Sequence, residues 1–288
     1  MELQDLRPSI GIDVERVGFR GIRRRVILDT PLGPISLDVS LSLYVDLPGD
    51  RRGVHLSRNV EALEEVLSAT GKARSLEEYL EGIASRLLAK HPYASRAWAV
   101  AETVYYVDVE YSGLRSIEPV NVEIEVLLER GGGRRWGVSV EVRGLTVCPS
   151  AQETIASLTG LVKGMTPSHM QRVTLKGRVE TTGEFVRIEK VARALYRSLS
   201  APAITLLKRN QEAKLIMEAL GKPKLVEDVV REAVANIAWE LQKLPDDTII
   251  EVEALSMESI HPHDLHAYKK VTLGMARKAL TESSQHQL

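Results

Sequence analysis

Apolar and polar residues alternate most regularly from Leu37 to Leu47, where Leu37, Val39, Leu41, Leu43, Val45 and Leu47 interleave with Asp38, Ser40, Ser42, Tyr44 and Asp46. Successive side chains of an extended chain point to opposite faces, so this stretch predicts a half-buried strand. The same period returns at Val120, Val122, Ile124, Val126 and Leu128, and again at Val138, Val140 and Val142. The turn signal GGGRR stands between those two runs and predicts a hairpin. Between the first strands and residue 98 the period lengthens, with helices expected from about Asn59 and about Ser75; Leu76, Leu80, Ile83 and Leu87 form an apolar stripe in the second.

The second half repeats this order without repeating the sequence. A strand ends near Cys148, alternation resumes at Val173, Leu175 and Val179, helices follow over 186–199 and 223–242, and Thr248, Ile250, Val252 and Ala254 form a further strand. Helices grouped between antiparallel strand pairs imply an α+β fold with helices on one face of a sheet. Two such units in tandem are expected, 1–134 and 135–288, a division suited to a chain of 288 residues.

Composition narrows the partners. Apolar residues make up 44% and charged residues 27%, and no apolar run approaches the roughly 20 residues a membrane helix needs. A formal net charge of −1 argues against a broad nucleic-acid surface, because phosphate-driven binding needs a local excess of Lys and Arg. The clusters Arg23–Arg25 and Arg134–Arg135 read as a solvated strand end and a hairpin loop, with a phosphate site the weaker alternative. One cysteine, Cys148, cannot form an internal disulfide, and the start MELQDLRPSIGID has no export pattern. A cytoplasmic protein with neither nucleic acid nor membrane as partner is the expectation.

The candidate chemistry gathers where MESIHPHDLHAY, residues 257–268, carries three of the chain's seven histidines. Pro262 biases His261 to an extended conformation, in which His261 and His263 project from one side. Such a pair serves a metal, or sits on a surface turn. Cys148, in TVCPSAQ, ends a strand at Pro149 and is either a reactive thiol or a small buried hydrophobe. His169 opens the next strand beside Arg172, which could contact an anion, and Glu212 lies on a helix.

The segments RVGFRG (16–21), YVDLPGDRRGVHLSR (44–58), HPYASRA (91–97), VCPSAQ (147–152), SHMQR (168–172), LLKRNQEA (206–213), PKLVEDVVRE (223–232) and ESIHPHD (258–264) resemble, in order, blocks of the type IB GTP cyclohydrolases. HPHD, preceded by PDDT at 245–248, is more similar to the archaeal branch that begins methanopterin-type pterin synthesis than to the bacterial folate branch. The resemblance implies tandem tunnelling-fold modules assembled as a homo-oligomer, a tetramer, with sites at subunit interfaces. It implies one divalent metal per site, Fe(II) in the archaeal branch, held by Cys148, His169, Glu212 and His261. These mixed donors also suit Zn or Mn.

The same resemblance places His263 and Glu258 as acid/base groups, Glu227 as the carboxylate that anchors guanine, and His55, Arg58, Lys208 and Arg209 around the triphosphate of GTP. The implied reaction opens the guanine imidazole ring at C8, loses formate and forms 7,8-dihydroneopterin 2′,3′-cyclic phosphate. Where the family reads CPC, this chain has Ser150 at the second cysteine, so a thiolate role there passes to a hydroxyl that donates or accepts a proton. Two alternatives stay open: a bacterial-type enzyme making 7,8-dihydroneopterin triphosphate, and a tunnelling-fold protein that binds a purine or pterin without turnover.

Overall fold

The computed structural model of the chain describes residues 2–30, 33–69, 73–162 and 166–285. Among them the order of elements is β1 (Val14–Thr30), β2 (Gly33–Leu47), α1 (Leu56–Ala69), α2 (Leu76–Lys90), β3 (Arg96–Tyr111), β4 (Leu114–Glu129), β5 (Arg134–Val147), α3 (Pro149–Thr159), β6 (Met170–Thr181), α4 (Ile188–Arg197), β7 (Ala201–Pro202), α5 (Arg209–Leu220), α6 (Val226–Glu240), β8 (Ile249–Met257), β9 (Leu265–Thr272) and α7 (Leu273–Gln285). The class is α+β, with antiparallel strands carrying helices. Two units result, Met1–Thr103 with Glu123–Gly137, and Val104–Val122 with Val138–Leu288.

In the first unit β1 pairs antiparallel with β2, and β2 with β3 through Ser40↔Glu102 to Val45↔Ala97. Leu41, Leu43 and Val45 of β2 are fully buried, as the alternation predicts, but Ser42 between them is buried too, its Oγ accepting the Gly21 N–H. Helix α2 starts where the Ser75 side chain accepts the Glu78 N–H, with Glu77 and Glu78 in the first turn complementing the helix dipole. Its stripe of Leu80, Ile83 and Leu87 is fully buried, each side chain contributing about 1.5–3 kcal/mol relative to exposure. The GGG turn closes as expected: Glu129 N–H donates to Gly133 O at 2.8 Å, and Gly132 takes φ +92°, a conformation a side chain would strain.

In the second unit β6 pairs antiparallel with β8 from Arg172↔Met257 to Glu180↔Ile249, β8 pairs with β9, and the short β7 pairs with β5 at Gly144↔Pro202 and Leu145↔Ala201. Val173, Leu175 and Val179 of β6 and Ile250, Val252 and Ala254 of β8 are fully buried, as are Leu195 of α4 and Ile237 of α6. Gly177 allows that packing: a Cβ there would stand 3.0 Å from Leu195 Cδ2 and 3.2 Å from Ile237 Cδ1. The second half carries more than the sequence pattern predicted, namely α3, β7, β9 and α7. No helix among the described residues is long and apolar enough to cross a membrane.

Candidate active site

Strand β5 ends at Val147, and Pro149 occupies the first position of α3, where its missing N–H costs nothing. Cys148 is thereby the N-cap of α3. Its Sγ accepts the Ala151 N–H at 3.4 Å, so the sulfur lies at the helix start with its lone pairs directed to the positive end of the dipole. The Cys148 N–H donates to His169 O at 3.2 Å, and Ser168 Oγ donates to Cys148 O at 2.7 Å. Backbone bonds therefore hold the end of β5 against the residues that lead into β6, which brings Cys148 and His169 together.

The β8–β9 connection, residues 258–264, supplies the other imidazoles. His261 and His263 stack with ring centroids 5.4 Å apart and planes 13° apart, the same-side projection expected of an extended i, i+2 pair. The His169 ring stands edge-on to His261 at 6.4 Å, and Ser259 Oγ lies 3.4 Å from His169 Nδ1. Glu258 accepts from Ser256 Oγ at 2.8 Å. Glu212 is exposed in the first turn of α5. Gln152 ties that helix to α3: its Nε2 donates to Leu220 O at 2.9 Å and to Thr166 O at 3.1 Å.

Two imidazoles on one tetrahedral ion, each bonded at about 2.0–2.1 Å, have ring centres about 5 Å apart. His169 and His261 at 6.4 Å are a little wider than that, and no three His, Cys, Asp or Glu side chains among the described residues converge as metal ligands do. The donor types fit a divalent transition metal, and Cys148, His169 and His261 lie on adjoining segments.

The other predicted residues divide into two groups. In the second unit Glu227 is exposed in the first turn of α6. Its neighbour Asp228 accepts the Leu225 N–H and pairs with Arg231, whereas Glu227 makes no such contact with the described residues. Lys208 and Arg209 are exposed at the start of α5, and Ser150 is exposed in the first turn of α3. In the first unit Arg58 Nη1 donates to Lys90 O at 3.3 Å. His55 is buried, with Nδ1 2.7 Å from a Glu2 carboxylate oxygen and Nε2 3.2 Å from Asp5 Oδ1. Sequence reasoning did not find Ser168, Ser259 or Gln152, whose roles arise from contacts across long stretches of chain. It also passed over Gln171, buried two residues after His169, whose Oε1 has no partner among the described residues.

Comparison with known proteins now defines the class. The fold is similar to that of uricase from Arthrobacter globiformis (TM-score 0.56, 8% identity, 90% of this chain and 93% of that one) and of a uricase from Bacillus fastidious (TM-score 0.52, 9% identity, 92% and 95%). Residues 1–267 match the family described as GCHY-1, type I GTP cyclohydrolase folE2, and the chain belongs to that family. Within it the chain is 51% identical over 284 residues to "GTP cyclohydrolase MptA" of Aeropyrum pernix, covering 98% of this chain and 100% of that protein. It is 34% identical over 306 residues to the protein of that name from Methanothermobacter thermautotrophicus (98% and 96%), and 31% identical over 309 residues to that from Methanosarcina mazei (98% and 97%). The resemblance to the archaeal branch read from HPHD is therefore correct.

Proposed function

We propose that the chain is a metal-dependent GTP cyclohydrolase that opens the guanine imidazole ring at C8, releases formate and forms 7,8-dihydroneopterin 2′,3′-cyclic phosphate. In this reading two tandem tunnelling-fold modules, 1–134 and 135–288, assemble as a cytoplasmic homotetramer. The observation that supports the reading is that Cys148, His169 and the stacked His261–His263 pair lie on adjoining strand ends, in a chain of this family.

Cys148, His169, Glu212 and His261 would hold the metal, Fe(II) with Zn or Mn as substitutes. When bound, such an ion supplies a Lewis acid that polarises water and a carbonyl-like carbon. The chain's own groups do the rest. Glu227, free of capping duty, accepts from the guanine N1–H and exocyclic amine. His55, Arg58, Lys208 and Arg209 bind the triphosphate. His263 and Glu258 exchange protons with the two ring nitrogens that separate from C8, and Ser150 offers a hydroxyl beside Cys148.

The chemistry balances without a redox partner. Breaking both C8–N bonds consumes two waters and leaves C8 as formate; one water returns when the freed amine condenses with the rearranged sugar carbonyl. In the last step the neighbouring side-chain hydroxyl attacks the α-phosphorus and diphosphate leaves. Stopping before that step gives 7,8-dihydroneopterin triphosphate. Mass spectrometry of the product formed by anaerobically prepared protein tests the reading: a cyclic monophosphate with free diphosphate supports it, and a triphosphate product without diphosphate assigns the folate-type reaction.

A further inference from the structure

The first unit holds a second cluster of charged groups, built around His55. Residues Leu3–Asp5 form one 3-10 turn that buries none of its side chains. This turn lies across the β2–α1 connection, where Arg52 N–H donates to Leu6 O at 2.8 Å and Gly53 N–H to Gln4 O at 3.2 Å. Asp5 Oδ1 receives Arg51 Nη1 at 2.8 Å and stands 3.2 Å from His55 Nε2, while a Glu2 carboxylate oxygen is 2.7 Å from His55 Nδ1. Both ring nitrogens of His55 therefore face carboxylates. The His55 hydrogen bond, followed by the charges of His55 and Arg51, holds the Asp5 carboxyl below its usual range. Arg51 is fixed from the other side by the Tyr93 ring, 4.5 Å from its guanidinium carbon.

Arg51 and His55 thus already face two carboxylates of the chain itself, the chemistry an anion site requires. We propose that residues 2–6 are a displaceable anionic strap, whose Glu2 and Asp5 carboxylates occupy the Arg51–His55 seat until the substrate's triphosphate takes it. The inference rests on the assignment of His55 to the triphosphate in the proposed function, and adds Arg51 to that subsite. Displacement is cheap because the turn has no apolar anchor and the Glu2 and Asp5 side chains are 70% and 39% exposed, so what must break is a few ion pairs whose carboxylate ends, though not the buried His55 ring, are open to water, and two backbone bonds. A triphosphate brings more charge and more acceptors to the same donors than two carboxylates do, and Arg51 offers a fork that matches phosphate oxygens.

The test uses full-length, metal-loaded protein with inorganic triphosphate as the probe, read by titration calorimetry and hydrogen exchange. The double variant Glu2→Gln, Asp5→Asn should bind triphosphate about threefold to tenfold more tightly, the scale of two weakly held ion pairs. Glu2→Gln alone, altering a mostly exposed side chain, should shift affinity in the same direction by less. In wild type, triphosphate should speed exchange at the Arg52 and Gly53 amides as their acceptors leave. If the variants bind no more tightly and those amides slow instead, residues 2–6 are a fixed brace and the strap is wrong. His55→Ala separates the two ideas: weakened binding there with unchanged binding in the double variant retires the strap alone, whereas unchanged binding in His55→Ala overturns the triphosphate assignment on which it stands.

Discussion

Replacing Gln152 by leucine should loosen the two helices that carry Cys148 and Glu212 without touching either residue. Gln152 is 1% exposed, and its Nε2 bonds the carbonyls of Thr166 and Leu220. Leucine is of similar size but has no N–H, so both carbonyls lose their donor. Each orphaned acceptor costs about 1–3 kcal/mol, and partial relaxation brings the pair to about 2–4 kcal/mol. For a chain of this size each kcal/mol moves the midpoint by about 2–4 °C, so thermal unfolding should shift down by roughly 5–12 °C. Urea unfolding should show a lower midpoint at unchanged slope. Gln152→Glu should be worse, since it sets a third acceptor against the two carbonyls and buries a charge. If Cys148 and Glu212 hold a metal as proposed, the α3–α5 tie positions both, and bound metal after dialysis should fall in both variants. A change under about 0.5 kcal/mol in Gln152→Leu, with metal occupancy intact, would refute the view that this amide holds the site together.

Cys148→Ala should lower bound metal and turnover together; full occupancy with full activity would make the thiol a packing group only. Glu227→Gln should weaken binding of a nonhydrolysed guanine nucleotide by at least about tenfold, through loss of a charge-assisted bond. Its melting point should stay put, because Asp228 already satisfies the α6 start. Burial pushes His91 down from 6.5 to about 4 while its neutral ring bonds Asn59 at 2.7 Å and Tyr93 at 2.9 Å. Its folded value lies below the unfolded one, so its contribution is complete above pH 6.5 and drains as pH falls toward about 4, by up to ~3 kcal/mol. Urea midpoints across that range should flatten in His91→Asn; an equally steep profile would place the acid sensitivity elsewhere.

The elements legible in the sequence are those with one apolar face buried. β2 and α2 announce themselves because Leu41, Leu43 and Val45, or Leu80, Ile83 and Leu87, fall at the period of the backbone and are fully buried. β9 could not be read that way: Leu265–Thr272 has no buried residue and alternates nothing. α3 hid for a related reason, since its buried residue is the polar Gln152. In the site, Pro149 and Pro262 made the placement of Cys148 and the shared side of His261 and His263 readable, because proline restricts the local backbone. The hydroxyls of Ser168 and Ser259 were not readable, since they act on residues 20 and 90 positions away. The carboxylates on His55 come from 50 positions and more upstream, and no local pattern signals them.

In the proposed function this chain removes C8 of GTP at the Cys148–His169–His261 centre. GTP carrying a label at C8, incubated without oxygen with the Fe(II)-loaded protein, tests it most directly. One labelled formate per GTP consumed is expected, with release abolished in Cys148→Ala. Consumption of GTP with the label retained in the purine, or labelled formate appearing at the wild-type rate from Cys148→Ala, would contradict it.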